Sequence, residues 1–295
     1  MRNVLLKNLA KRNDDFLFIT ADIGYRVIEV LKESSPEKFL NTGVNEQFMA
    51  SFAAGVAKTK PCFIYSIANF STLRCLEQIR NDICLHKVPV CVVSVGGGFG
   101  YGALGASHHN IEDIACLGSL PGMNVFMPSS KKEVIKATNF FFENNLPTYL
   151  RLSNLNDKCE VLDDKVSIDG NYFIKDDNSK TLIISNGSLL TSIFDILKNN
   201  ELKEDFDLFS FYRFTDNIFD RLDFSKYNKI ITYDESTYIG SSACLLNKYI
   251  AEKNIKLKIE SFYVNDYTNI PGGTADFYRK YFKMSEKDIK NYLTK

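Results

Sequence analysis

Short apolar runs alternate with amphipathic stretches through the first half of the chain. Apolar residues at helical spacing predict helices over 45–58 and 71–86, and two further helices that begin near 110 and at 130. Continuous apolar runs, which are typical of buried parallel strands, cover 16–19, 89–95, 124–127 and 147–152. Because strands and helices alternate, this half is predicted to form a doubly wound α/β domain with a parallel sheet.

A second alternating pattern follows a polar stretch. Residues 154–180 are irregular and predict a connector with one small hairpin. Beyond the connector, the pattern predicts strands at 181–185, 206–211, 229–233 and 257–262, and helices at 189–197, 241–253 and 285–293. We therefore divide the chain into a first α/β domain at 1–155, a connector at 156–180 and a second doubly wound α/β domain at 181–295.

Charge and hydrophobicity exclude some classes of partner. The 295 residues include 36 Lys and Arg and 36 Asp and Glu, so the formal net charge is zero. A neutral chain has no overall field that would attract nucleic acid or an anionic membrane, and we expect neither as a partner. No apolar run reaches the roughly 18 residues of a membrane span, and the N-terminus lacks the apolar run of a signal peptide.

The cysteines indicate a reducing compartment. Their number, seven, is odd, no pair has the C-x-x-C spacing, and most of them lie in apolar runs. Buried free thiols in a cytoplasmic protein explain this usage better than disulfides or a zinc site. The chain has three histidines, of which His108 and His109 are adjacent. We predict no metal site in this chain, because adjacent histidines on a loop point in different directions.

A glycine-rich loop follows the strand at 89–95. Gly100, Gly102 and Gly105 satisfy the G-x-G-x-x-G pattern of nicotinamide-dinucleotide sites. However, Gly100 lies well beyond the end of the strand, and the next strand ends without a carboxylate that could hold a ribose. The alternative is a loop whose glycines allow the backbone to approach another chain or a ligand closely.

The two adjacent histidines and a buried glutamate are the candidates for chemistry. His108 and His109 precede Asn110, Glu112 and Asp113, so the segment either caps the next helix or provides an imidazole that binds a polar substrate. Glu46 opens a helix made otherwise of apolar and small residues. It either stabilises the helix dipole or, as a neutral buried carboxyl, donates a hydrogen bond to a basic ring nitrogen.

Four ordered segments resemble the pyrimidine-binding half of transketolase. They are TGVNEQFM followed by AAG at 42–55, a strand, aromatic loop and EQIRND helix at 65–82, the glycine loop with SHHNIED at 100–113, and LPGM followed by Pro128. Asp22 matches the acidic residue after the family's first strand. Residues 181–295, including 234–241, are similar to the family's C-terminal domain.

The resemblance implies thiamine diphosphate as the cofactor and transfer of a two-carbon ketol unit from a ketose to an aldehyde. It implies that Glu46 binds a ring nitrogen of the aminopyrimidine and that Phe70 stacks on this ring, with Ile67 as a looser apolar contact. Asp22 and Arg74 complete the implied cofactor site. The implied substrate contacts are His108, His109, Gly100 and Tyr101, and Glu46 and His108 are the implied catalytic residues.

The resemblance also implies a partner. A complete transketolase has an N-terminal domain whose G-D-G…N motif binds Mg²⁺ and the diphosphate, and the nearest string here, Asp169-Gly170-Asn171, lacks the spacing. The chain is therefore similar to the C-terminal section of a split transketolase. It is expected to act on small sugars or sugar phosphates in an α2β2 assembly with a separate N-terminal subunit.

Three departures from the family pattern bear on the substrate. Gly96 stands where a histidine is common, Leu104 where an acidic residue is common, and Asn154 where an arginine often binds phosphate, although Arg151 is near. These departures favour substrates other than the usual pentose phosphates. The other interpretations are a β-type subunit of a 2-oxoacid dehydrogenase, a deoxyxylulose-phosphate synthase-like enzyme, and a non-catalytic scaffold that keeps the fold.

Overall fold

Two sheets, one in each half of the chain, organise the molecule. The structure is a computed structural model, and it describes residues 1–23, 27–153, 160–162, 165–199, 202 and 205–294. The strands of the first sheet are Leu17–Thr20 (β1), Phe39–Asn41 (β2), Cys62–Ile67 (β3), Val90–Val95 (β4), Asn124–Phe126 (β5) and Thr148–Leu152 (β6). All of its paired strands are parallel, in the order β2-β1-β3-β4-β6-β5.

The second sheet is mixed. Its strands are Asn171–Ile174 (β7), Thr181–Ser185 (β8), Phe206–Ser210 (β9), Lys229–Thr237 (β10) and Lys258–Val264 (β11), in the order β11-β10-β8-β9-β7. Only β7 is antiparallel to its neighbour, β9, among the strands of this sheet.

The predicted connector contributes a strand to the second sheet. β7 lies in the connector, where the sequence predicts a small hairpin. Its sheet partner, β9, comes more than 30 residues later in the chain. β7 therefore forms the edge of the second sheet and is not paired with a neighbouring strand of the connector in that sheet. Of the irregular stretch at 154–180, residues 154–159 and 163–164 lie outside the described residues.

The helices pack on the two sheets. They are Arg2–Ala10 (α1), Glu29–Ser34 (α2), Glu46–Val56 (α3), Leu76–Gln78 (α4), Asp113–Gly118 (α5), Lys131–Asn144 (α6), Gly187–Asn199 (α7), Ser242–Lys253 (α8), Ala275–Tyr281 (α9) and Glu286–Leu293 (α10). α4 continues directly as a π-helical segment, Ile79–Cys84. This order of strands and helices confirms the predicted fold of two α/β units with a parallel first sheet.

The helix predicted at 71–86 begins later than expected. Residues Ala68–Ser71 and Leu73–Cys75 form 3₁₀ turns, and regular helix starts only at Leu76. Likewise, α5 starts at Asp113 rather than near 110. In both places the residues before the helix form turns at one edge of the first sheet.

The first sheet is buried on both faces. One face, with Ile19, Ile64 and Val92, packs against α3, and the other, with Phe18 and Phe63, packs against α1 and α6. Burial on both faces explains why the central strands are continuous apolar runs. No helix in the described residues is long and apolar enough to cross a membrane.

The N-cap of α3 fixes the start of the helix that carries Glu46. The side chain of Asn45 accepts a hydrogen bond from the backbone nitrogen of Phe48 at 3.3 Å, as the sequence predicts for this residue. Glu46 therefore occupies the first position of the helix, with its side chain at the edge of the first sheet.

A buried carboxyl, Glu133, joins the two halves of the molecule. Its Oε2 accepts from the backbone nitrogen of Ser129 at 2.7 Å, and its Oε1 accepts from Asn171 Nδ2 on β7 at 2.9 Å. Glu133 is fully buried, and this burial raises its pKa from 4.5 to about 7 in spite of these hydrogen bonds.

Because the pKa of Glu133 is higher in the folded than in the unfolded state, we expect this residue to lower stability as the pH rises from 4.5 to about 7. The effect is on the order of 3 kcal/mol across that window. Glu133→Gln should remove this part of the pH dependence of the free energy of unfolding, as measured by urea titration at several pH values. Glu143→Gln, at an exposed position of the same helix, is the control and should keep the wild-type slope. An unchanged slope in Glu133→Gln would contradict the assignment.

Candidate active site

The Glu46 carboxyl is buried at the start of α3, where only 4% of the residue is exposed. Its Oε2 lies 3.0 Å from Nη1 of Arg74, which is the only cation paired with it among the described residues. The side chain of Arg74 is 47% exposed. The ion pair therefore joins a partly exposed guanidinium to a buried carboxyl.

Phe70 lies in a tight turn that follows β3. The turn starts at Ala68, whose φ of 44° is uncommon for a residue with a side chain. Ser94 Oγ donates to the carbonyl of Ala68 at 2.6 Å, and the amide of Asn69 donates to the carbonyl of His109. These two bonds hold the turn against β4 and the histidine segment, and they fix Phe70 beside His108.

Arg74 connects Glu46 to Phe70. Its guanidinium carbon lies 4.4 Å from the centroid of the Phe70 ring, while its Nη1 donates to Glu46. A guanidinium is planar, cationic and rich in N–H donors. The carboxyl and the aromatic ring thus bind a flat, cationic group of this chain from two sides, which are the contacts that the resemblance implies for an aminopyrimidine.

The glycine-rich loop folds back on itself next to this site. A Cβ at Gly100 would lie 2.8 Å from the Cα of Gly96, and a Cβ at Gly96 would lie 2.2 Å from the Tyr101 ring. Gly96 also has a φ of 90°, which favours glycine. Tyr101 thus fills the space of a side chain at 96, the position where the resemblance leads us to expect a histidine.

The loop does not have the geometry of a dinucleotide site. Its glycines lead into two 3₁₀ turns, Gly102–Leu104 and Ala106–His108, and the next α-helix starts only at Asp113. A dinucleotide phosphate requires a helix N-terminus directly after the glycines. The nicotinamide interpretation is therefore not supported by the fold.

The two histidines have different environments. The His108 ring lies 5.0 Å from the Phe70 ring and 6.5 Å from the Tyr101 ring, and its Nδ1 is 3.0 Å from Ser107 Oγ. The His109 ring is buried between Phe99 and Tyr278. Burial lowers the pKa of His109, so its ring is neutral. Only His108 is brought beside Phe70.

The other implied cofactor residues lie along the same edge of the sheet. Ile67 ends β3 and is paired in register with Val95 at the end of β4. Asp22 is exposed just after β1, where its backbone nitrogen donates to Asn41 Oδ1 at 2.9 Å and its Oδ1 accepts from Asn41 Nδ2 at 3.2 Å. Because the carboxyl ends of parallel strands form the ligand-binding edge of such a sheet, Asp22 lies at the rim of this edge.

Behind the histidine segment lies a buried polar cluster that sequence reasoning did not find. Arg151 Nε lies 3.2 Å from Asp113 Oδ2, and Arg151 Nη2 donates to the carbonyl oxygens of Asn110 and Glu235. The hydroxyl of Tyr149 donates to the same Asp113 carboxylate. Arg151 is only 2% exposed, so its guanidinium faces this cluster and not the substrate side. The only signal in the sequence was an arginine inside an apolar strand.

The described residues contain no group of three or more His, Cys, Asp or Glu side chains that could hold a metal ion. The Asp169-Gly170-Asn171 string has internal roles. Asp169 pairs with Arg213 at 3.2 Å, and Asn171 binds Glu133. Asn154, where the resemblance leads us to expect a phosphate-binding arginine, lies outside the described residues.

The fold is that of an α/β protein in which Glu46, Arg74, Phe70 and His108 lie together at the carboxyl ends of the strands of a parallel sheet. A family model described as "Transketolase, pyrimidine binding domain" matches residues 2–157, more than half of the chain. The chain therefore belongs to this family, as the four sequence segments indicate.

Curated relatives agree with this membership. The chain is 33% identical over 149 residues to one of the subunits of the apulose-4-phosphate transketolase of Phocaeicola vulgatus, covering 50% of this chain and 48% of the relative. It is 27% identical over 293 residues to "Putative transketolase C-terminal section" of Methanocaldococcus jannaschii, covering 96% and 91%. It is 26% identical over 278 residues to "1-deoxy-D-xylulose-5-phosphate synthase" of Chlamydia felis, covering 90% and 42%.

The chain thus spans about half or less of two of these relatives and nearly all of the third. Among solved structures, one described as "Split gene transketolase, inactive beta4 tetramer" matches with a TM-score of 0.82. It is 21% identical and the match covers 100% of this chain and 98% of that one, which establishes a shared fold.

Proposed function

We propose that this chain is the pyrimidine-binding subunit of a split, thiamine-diphosphate-dependent transketolase-like enzyme. It transfers a two-carbon ketol unit from a ketose donor to an aldehyde acceptor. The observation that carries the proposal is the joint position of Glu46, Phe70 and His108. Arg74 connects a buried carboxyl to an aromatic ring, and an imidazole lies beside that ring, at the edge of a parallel sheet where ligands commonly bind.

Each side chain of this site has a distinct proposed role. Glu46 exchanges a hydrogen bond, or a proton, with a ring nitrogen of the aminopyrimidine, and Phe70 stacks on the face of that ring. Arg74, which donates to Glu46 and lies over the Phe70 ring, is proposed to bind the cofactor beside them. Ile67 adds an apolar contact, and Asp22 lies at the rim. Bound thiamine diphosphate supplies the electron sink for breaking and forming the carbon–carbon bond.

The substrate side is formed by the His108 segment. His108 is proposed to bind the donor's hydroxyl groups, while Gly100 and Tyr101 shape the wall next to it. His109 is proposed to act in positioning, because its ring is buried away from Phe70. Tyr101 fills the space beside Gly96, and Arg151 is turned inward, which supports substrates other than the usual pentose phosphates.

The diphosphate and Mg²⁺ are proposed to be held by a separate N-terminal subunit in an α2β2 assembly. One relative is named as a subunit of a transketolase and another as a C-terminal section, and both names support this arrangement. A cytoplasmic location is proposed from the cysteines, since the six described ones are all free thiols.

Co-purification of the chain with a candidate N-terminal subunit tests the proposal. The complex, supplied with thiamine diphosphate, Mg²⁺ and a panel of ketoses and aldehydes, should form new ketoses whose production requires the cofactor. The chain alone should be inactive. A complex that assembles and binds the cofactor but transfers no ketol unit from any ketose would contradict the proposed reaction.

A deoxyxylulose-phosphate synthase-like reaction is the second candidate, favoured by similarity to such an enzyme over 90% of this chain. It differs from ketol transfer in releasing CO₂ from a 2-oxoacid. Pyruvate and an aldehyde should therefore be tested in the same complex. CO₂ release that depends on the cofactor would favour this candidate over ketol transfer.

Phe70→Ala is expected to weaken binding of thiamine diphosphate to the complex about two- to tenfold, because the stacking surface is lost. Equilibrium dialysis of the cofactor measures this change. Phe70→Tyr keeps the ring and should bind the cofactor like the wild type. If Phe70→Ala binds the cofactor as tightly as Phe70→Tyr does, Phe70 does not stack on it.

A further inference from the structure

The loop that carries His108 is closely packed against the second half of the molecule. We define the His108 loop as residues 96–113. A Cβ at Gly98 would lie 2.5 Å from Glu235 Oε2, and a Cβ at Gly102 would lie 3.0 Å from the backbone nitrogen of Ala275. The loop thus approaches β10 and the start of α9 so closely that neither position accommodates a side chain without a shift.

An aromatic residue of α9 packs against the centre of this loop. The Tyr278 ring stacks on Phe99, with centroids 4.8 Å apart and planes at 11°, and it meets the His109 ring edge-on at 4.5 Å. All three residues are buried. Because the interior of a protein is close-packed, the position of Tyr278 restricts the position of the His109 ring.

Polar contacts fix α9 and its neighbouring segment in this position. Arg279, which follows Tyr278, donates to Glu235 Oε1 at 2.6 Å, and its Nη2 lies 3.0 Å from Ser188 Oγ. The hydroxyl of Tyr267 donates to the Glu112 carboxylate inside the His108 loop. The second half of the molecule therefore contacts the loop through an aromatic ring, a close backbone approach and a charge-assisted hydrogen bond.

His109 transmits this restriction to His108. The two residues are adjacent, and the carbonyl of His109 accepts from the Asn69 side chain in the turn that presents Phe70. Neither ring nitrogen of His109 has a hydrogen bond of good geometry among the described residues, although the ring lies close to the backbone of Gly102 in the same loop, so contacts with Phe99 and Tyr278 are the main restraint on the ring. The same backbone carries the buried His109 ring and continues directly into His108, whose ring lies 5.0 Å from the Phe70 ring.

We propose that Tyr278 is a positioning residue for the active site, whose ring holds His109 and thereby sets the orientation of His108 toward the substrate. This gives the second α/β unit a role in the reaction, although its residues do not contact Glu46 or Phe70 in the side-chain contacts described here. The link to substrate rests on the proposed function. The link from Tyr278 to the loop stands on the contacts within this chain.

The test compares Tyr278→Leu with Tyr278→Phe in the complex with the N-terminal subunit. Tyr278→Leu removes the ring and should lower kcat/KM for the ketose by about ten- to a hundredfold, since small displacements of substrate-binding groups have such effects. The decrease in kcat/KM should come from a higher KM for the ketose, while the dissociation constant of thiamine diphosphate stays within about twofold of wild type. Tyr278→Phe keeps the ring and should restore wild-type values.

Tyr281→Leu is the matched control, since Tyr281 lies on the same helix with 55% of its surface exposed. It should leave KM for the ketose unchanged. If Tyr278→Leu weakens cofactor and ketose binding equally, or if Tyr278→Phe fails to restore KM, the positioning role is wrong.

Should Tyr278→Leu fail to fold, Tyr267→Phe removes only the hydroxyl that contacts Glu112. It should raise KM for the ketose about two- to tenfold, the effect of one hydrogen bond, and an unchanged KM would overturn the inference.

Hydrogen exchange of the chain without its partner separates this inference from the proposed function. Amides of the His108 loop should exchange faster in Tyr278→Leu than in Tyr281→Leu, because the loop loses its packing. Equal exchange in the two variants would overturn the positioning role. If the wild-type complex transfers no ketol unit, the proposed function fails, yet faster exchange in Tyr278→Leu would still support the control of the loop by Tyr278.

Discussion

Glu46→Gln is expected to reduce ketol transfer by the assembled enzyme by a factor of about 10²–10⁴, the range for loss of a positioned acid or base. Glutamine keeps the size of the side chain and can still accept or donate one hydrogen bond. It does not exchange a proton with a ring nitrogen at neutral pH. We therefore expect kcat to decrease, as measured by steady-state ketol transfer at saturating thiamine diphosphate.

Glu77→Gln provides the control for this variant. Glu77 is an exposed glutamate on α4 that bonds only to its neighbours Gln78 and Asn81 in the described residues. Its replacement should leave kcat within about twofold of wild type, as expected for a surface substitution. If Glu46→Gln keeps full activity in a complex that binds the cofactor, the mechanism assigned to Glu46 is wrong.

The regular elements were predictable from the sequence where the pattern is strong. β4, β6 and β8 are apolar runs long enough to identify, and α3 and α6 carry both helical periodicity and an N-cap residue. The short elements were missed, because three residues in β2 and six in α2 give too little periodicity. The turns before α4 were predicted as helix because the hydrophobic spacing continues through them.

The site was predictable as a set of residues but not as an arrangement. Glu46, Phe70 and His108 each lie in a recognisable segment, and the structure brings them together. The partners that hold them are distant in the sequence, such as Asn69 for the carbonyl of His109 and Tyr278 for the His109 ring. The burial of Glu46 was expected, but its ion pair with Arg74 was not, because it depends on how α3 meets the turn after β3.

Arg151→Met is expected to lower the free energy of unfolding by about 3–5 kcal/mol, the usual effect of removing one partner of a buried ion pair. Asp113 is fully buried, and without Arg151 its carboxylate keeps only the hydrogen bond from Tyr149 among the side chains described. The carbonyl of Glu235 loses the donor on Arg151 as well, while that of Asn110 keeps the backbone N–H of Gly98. Urea unfolding should show a lower midpoint with an unchanged m-value.

The pH dependence and a double variant identify the cause of this loss. Burial raises the pKa of Asp113 and Arg151 opposes that rise, so removal of Arg151 raises the pKa further. The folded state then takes up a proton on Asp113 more readily, and the loss of stability should be smaller at about pH 5 than at about pH 8. Asp113→Asn combined with Arg151→Met should lower the free energy of unfolding by less than the sum of the single variants, because no unpaired charge remains.

Lys60→Met, which breaks an exposed pair with Asp15, is the control and should lower the free energy of unfolding by less than about 1 kcal/mol. A similarly small cost for Arg151→Met, or strict additivity with Asp113→Asn, would show that the pair does not hold the histidine segment in place.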